Sequence, residues 1–94
     1  MIVSFRHKGL EKFYLTGSLE GIQPSHQQRL QLLLTALRNT ADLQDLRSSS
    51  FGLHPLKGTL SGWWALKVNR NWRLIFQFDQ QSRQVSDIDY IDYH

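Results

Sequence analysis

From Trp63 to Tyr93 the apolar residues fall at alternate positions, a pattern that suits strands with one buried face. Trp64, Leu66 and Val68 alternate with Trp63, Ala65 and Lys67, and Asn69-Arg70-Asn71 supplies a turn. Trp72, Leu74, Phe76 and Phe78 then form one face, with Arg73, Ile75 and Gln77 on the other. Asp79 to Arg83 makes a second turn. Alternation resumes with Val85, Asp87, Asp89, Ile91 and Tyr93 against Ser86, Ile88, Tyr90, Asp92 and His94. Successive hairpins imply an antiparallel sheet, and one side of such a sheet needs a cover.

That cover lies upstream. Leu30, Leu33, Leu34 and Leu37 repeat as i, i+3, i+4 and i+7, the clearest helical signal in the chain, with Pro24 suited to the first turn and Asn39 to the stop. Leu10, Phe13 and Tyr14 form a shorter helical stripe that Gly17 can end. Ile2, Val3 and Phe5 suit a short strand. His26, in the first turn of the second helix, reads as a solvated surface residue, and Thr40 to Leu46 as a helical turn capped by Thr40. The expected order is β-α-α-β-β-β, an α+β domain spanning residues 1–94. A mainly antiparallel four-stranded sheet carries the helices on one face.

The chain has no cysteine, so disulfides, thiolate metal sites and a cysteine nucleophile are excluded. It has no apolar run of signal-peptide or membrane-span length, which points to a cytoplasmic protein. Its formal charge of +3 is uneven. Residues 1–78 carry ten Lys or Arg against Glu11, Glu20, Asp42 and Asp45, a surplus of six. A basic body attracts polyanions, nucleic acid first, although a few net charges are also ordinary for a small soluble domain. Arg6, His7, Lys8 and Lys12 cluster around the start of the first helix, where they suit either a phosphate chain or a solvated face.

Once the core is assigned, four features are left to explain. These are His54 and Lys57 on the Leu53-His54-Pro55-Leu56-Lys57-Gly58 loop, Arg73 in mid-strand, and the terminal Asp92-Tyr93-His94. Arg73 lies opposite the apolar row of its strand, so its head is expected to reach across an open sheet face near the end of the last strand. RNA carries its own nucleophile, the 2′-hydroxyl. Cleavage therefore needs two groups that exchange protons near neutral pH, and fixed cations for the charge that builds on the phosphate. His54 and His94 meet the first need, Lys57 and Arg73 the second. No cofactor is required, and no metal site is expected, because no pair of ligands has the spacing for one. Taken singly, each residue also has a plain surface role, and the residue pattern alone supports an RNA-binding domain as well as a ribonuclease.

In order and spacing, several pieces are similar to a known family: Ser4-Phe5-Arg6-His7-Lys8-Gly9-Leu10, Thr16-Gly17, Gly21-Ile22, Arg29-Leu30, Leu53-His54-Pro55-Leu56-Lys57-Gly58, Val68-Asn69-Arg70-Asn71-Trp72-Arg73 and Asp92-Tyr93-His94. Together they resemble the HigB group of toxins in the RelE-like superfamily. The resemblance implies a ribosome-dependent endoribonuclease that cuts messenger RNA in the decoding site. It also implies inhibition by a HigA-type helix-turn-helix antitoxin, through which alone the complex meets operator DNA. Carried over, it makes His54, Asp92, Tyr93 and His94 the catalytic group and gives Lys57 and Arg73 to the phosphate. Arg6, Lys8, Lys12, Lys67 and Arg70 become candidates for ribosomal RNA. A carboxylate such as Asp92 beside a histidine would favour the imidazolium and make that histidine the acid, while Tyr93 would stack on a base. An inactivated toxin that only binds antitoxin or RNA, and a ribonuclease that needs no ribosome, are the alternatives.

Overall fold

The computed structural model describes residues 1–47 and 50–93, so Ser48 and Ser49 of the expected polar loop, and His94 of the expected catalytic group, lie outside the described residues. Its scaffold is one antiparallel sheet of four strands in sequential order. The strands are β1 (His54–Pro55), β2 (Trp64–Lys67), β3 (Trp72–Asp79) and β4 (Gln84–Asp92). Helix α1 (Lys8–Thr16) and helix α2 (Gln27–Asn39) precede them, and their buried residues join the apolar face of the sheet. Leu10, Phe13, Leu30, Leu33, Leu34 and Leu37 pack there with Leu66, Leu74, Phe76, Val85, Ile88 and Tyr90.

The expected first strand is present only as two parallel bridges to β4, Ile2 to Val85 and Phe5 to Ile88. Backbone bonds from Val3 to Val85 and from Arg6 to Ile88 still fasten it. The four strands of the sheet therefore all follow the helices. The fourth is β1, which forms where the sequence suggests a loop: Pro55 holds His54 extended, and the pair zips onto Trp64 and Ala65.

Both helices stop where their chemistry predicts, though one cap differs from expectation. Gly17 ends α1 at φ 80, donating its N–H to Phe13, and the absence of a Cβ makes that left-handed conformation accessible. His7 starts α1 by accepting the Leu10 N–H on Nδ1 at 2.9 Å. Thr40 does not cap the next turn. It closes α2, is buried, and its hydroxyl donates to Ala36 O at 2.7 Å. The following 3-10 turn, Leu43–Leu46, has its capping box between Asp42 and Asp45.

One irregularity sets the phase of the last strand. The β3–β4 register shifts between Ile75 and Gln77, and Asp87 takes a left-handed φ of 55. A bulge of this kind sets two residues against one, so the sides of β4 exchange at Asp87. Val85, Ile88 and Tyr90 all reach the main core, whereas strict alternation would set Val85 and Ile88 on opposite faces. Phe76, opposite the bulge, is fully buried. Phe76→Ala should lower unfolding stability by about 3–5 kcal/mol, read as a fall in urea midpoint with little change in slope.

Candidate active site

Sheet register determines which side chains share the surface away from the helices. His54 is paired with Ala65, Ala65 with Ile75, and Ile75 with Asp89. One pleat along, Lys67 is paired with Arg73 and Arg73 with Ile91. Cross-strand partners lie on one face, so His54, Lys67 and Arg73 stand on the same open side. The Cα atoms of His54 and Arg73 are two strand spacings and two residues apart, roughly 12 Å, a gap that two long side chains can close around a phosphodiester. Leu56, Ala65 and Ile75 form the floor, with Leu60, Trp63 and Ile91 packed against them.

His54 is half-buried, and its Nδ1 lies 3.1 Å from the carbonyl of Gly52. A carbonyl only accepts, so Nδ1 carries the proton and Nε2 of the neutral ring presents a lone pair. Gly52 is required there. Its φ is 64, and a Cβ would meet the Lys67 Cβ at 3.1 Å. Lys57 is exposed and caps the 3-10 turn Gly58–Leu60.

Arg73 differs from expectation. Its head does not stretch across the face but is drawn back by its own hairpin turn. One terminal nitrogen donates to the carbonyls of Asn69, Arg70 and Trp72 at 2.6, 3.3 and 3.0 Å. Its Nε is buried and has no hydrogen-bond partner among the described residues. The Tyr93 ring lies 5.8 Å from the guanidinium carbon, close enough for a cation–π contact. The backbone N–H of Tyr93 donates to Asn71 O at 2.5 Å, so the turn that holds Arg73 also holds the end of β4. Asp92 is paired with Trp72 and exposed.

The remaining basic residues divide. Arg6 reaches the Trp63 ring at 5.5 Å, and Gln77 braces Trp63 by accepting its Nε1–H at 3.2 Å while donating to Asp87 at 2.8 Å. Lys67 is exposed on the site face and Arg70 on the adjoining turn. Lys8 is exposed on α1, and Lys12 is engaged with Glu20 at 3.1 Å between two exposed side chains. Neither shares the open face by register.

His26, expected at the surface, is only 4% exposed. It packs edge-on against Trp72 and Tyr90, with Nδ1 2.5 Å from the Tyr90 hydroxyl and Nε2 2.7 Å from Asn69 Nδ2. Sequence periodicity misses it because the 3-10 turn Pro24–His26 precedes α2 and aims the ring inward. Burial lowers its pKa below 6.5. A lowered histidine pKa gives stability that is complete above the unfolded value and is lost as pH falls through the folded value. In thermal melts from pH 7.5 to 5, the wild type should therefore lose more melting temperature than His26→Gln.

The fold is that of the small toxins of toxin–antitoxin pairs. The chain superimposes on the YoeB–YefM heterotetrameric toxin–antitoxin structure from Staphylococcus aureus with TM-score 0.63 and 19% identity, covering 100% of this chain and 95% of that one. Residues 3–94 match the model of the HigB-like toxins, described as RelE-like toxin of type II toxin-antitoxin system HigB, and the chain belongs to that family. It is 35% identical to Endoribonuclease HigB of Proteus vulgaris over 94 residues, all of both chains. It is 33% identical to Toxin HigB-1 of Vibrio cholerae serotype O1 over 82 residues, 83% of this chain and 84% of that one.

Proposed function

We propose that this toxin is an endoribonuclease that cuts messenger RNA on the ribosome, and that the open face of the sheet is its catalytic surface. The observation that carries this reading is the pairing, on one face, of a histidine with an available Nε2 and an arginine whose head is already oriented. The name of the Proteus vulgaris relative supports the activity.

In the proposed reaction, His54 Nε2 takes the proton of the 2′-hydroxyl as that oxygen attacks phosphorus. Arg73 and Lys57 carry the charge on the phosphorane oxygens, through the arginine donors that the turn carbonyls leave over. The bond from phosphorus to the 5′-oxygen breaks and leaves a 2′,3′-cyclic phosphate. An imidazolium at His94, two positions after the Asp92 carboxylate that would favour it, protonates the departing oxygen. Tyr93, resting on Arg73, offers a ring for a base to stack on. Arg6, Lys67 and Arg70 surround this face with positive charge suited to ribosomal RNA, with Lys8 and Lys12 further off. The partner that restrains the toxin is a HigA-type helix-turn-helix antitoxin, and the place of action is the cytoplasm.

Loss of a general base lowers rate by roughly 10²–10⁴-fold, and loss of a charge-stabilising donor by roughly 10²–10³-fold. His54→Ala and Arg73→Ala should each fall in those ranges when message cleavage is followed on programmed ribosomes, with the melting transition retained. Naked RNA should stay intact. Growth arrest by both folded variants would leave only a binding role, and cutting of naked RNA would remove the ribosome from the account.

A further inference from the structure

The catalytic reading employs Arg73 but leaves its support unexplained. Asn69, an exposed residue at the first position of the β2–β3 turn, is where that support converges. Its side-chain oxygen accepts the N–H groups of Asn71 and Trp72 at 3.0 and 2.9 Å. With the oxygen so occupied, the amide nitrogen faces His26 and donates to Nε2 at 2.7 Å. The backbone carbonyl of the same residue accepts from Arg73 at 2.6 Å. The next two residues supply the Arg70 carbonyl to Arg73 and the Asn71 carbonyl to Tyr93.

The direction of each bond follows. The orientation of the Asn69 amide makes His26 Nε2 an acceptor, so a neutral ring carries its proton on Nδ1 and donates it to the Tyr90 oxygen. Tyr90 is itself anchored in β4 and is 4% exposed. The chain of contacts runs from the core strand through His26 to Asn69, and from Asn69 to the guanidinium. Every part of the turn that touches Arg73 or Tyr93 is thereby referred to the buried sheet.

We propose that Asn69 is the positioning residue of the site, fixed by neutral His26 and fixing in turn the Arg73 guanidinium and the end of β4. This rests on the catalytic role given to Arg73 above. Asn69 itself touches no reacting atom. Misplacing a catalytic group by about 1 Å costs on the order of 100-fold in rate, so a loosened turn is sufficient to impair cleavage.

Two variants test the proposal. Asn69→Ala removes both turn bonds and the donor to His26. Asn69→Asp keeps an oxygen for Asn71 and Trp72 and sets an acceptor against Nε2, which neutral His26 meets by moving its proton to Nε2 and accepting the Tyr90 O–H on Nδ1. The groups facing His26 are Tyr90 from β4, Trp72 from β3 and Asn69 from the turn, and His7 at the start of α1 packs edge-on against Tyr90. Burial pushes the Tyr90 phenol above 10.0, so it does not ionise in the working range. Asn69→Asp, which keeps the turn acceptor and a contact with His26, should therefore cut far closer to the wild-type rate than Asn69→Ala. Asn69→Ala should be impaired at least about tenfold, in turnover rather than KM. The Arg73 Nε–H resonance, read by ¹⁵N NMR on the purified toxin, should broaden or shift in Asn69→Ala.

Cleavage at the wild-type rate by Asn69→Ala, or an Arg73 resonance unchanged in that folded variant, would overturn the positioning role. If Asn69→Ala does not fold, Asn69→Ser, which is too short to reach His26, decides by the same two readouts. Should the resonance respond while the wild type cuts no message, the catalytic reading fails and the positioning of Arg73 stands.

Discussion

The pairing of β3 with β4 is the interaction on which the rest depends. It carries the core on one side and the candidate site on the other, and the bulge at Asp87 assigns side chains between them. Without that bulge, Val85 and Ile88 would point in opposite directions, and one of them would leave the core. With it, Val85, Ile88 and Tyr90 are buried together, while Asp89 and Ile91 are delivered to the open face. The chain accepts a left-handed φ at a non-glycine residue there, a conformation that costs of order 1–3 kcal/mol and persists where surrounding packing enforces it.

The same ladder brings distant parts of the sequence together. Arg73 is paired with Ile91, and Tyr93 is tied to the turn before Arg73, so Tyr93 is held beside a cation twenty positions earlier. His54 enters from the other edge through a two-residue strand, its ring nitrogen Nδ1 bonded to the Gly52 carbonyl. The open face is thus assembled from both edges of the sheet and the hairpin between them.

Much of this was readable from residue pattern, because a sheet with one buried face writes its period into the chain. The leucine repeat of α2, the β2–β3 turn and the face bearing Arg73 follow directly from spacing. The failures have a common cause: each concerns a single residue whose orientation is set by local geometry. His26 is turned inward by a 3-10 turn, Thr40 closes one helix instead of opening the next turn, and Val85 is re-phased by a bulge. Asn69 was visible only as a turn former. Its donor and acceptor both find partners solely because His26 and the Asn71 and Trp72 amides converge on it. An Asn opening a hairpin turn is the one signal that marks such a residue in advance.

The central claim is that RNA is cut on the face opposite the helices. A structure of the toxin on a ribosome whose message carries a 2′-O-methyl group at the cut position tests this most directly, because the blocked nucleophile holds the complex before reaction. The account predicts the scissile phosphate against the open donors of Arg73, with His54 Nε2 next to the methylated oxygen and the Tyr93 ring beside a base. A message lying along α1 and α2, or a phosphate out of reach of both His54 and Arg73, would contradict it.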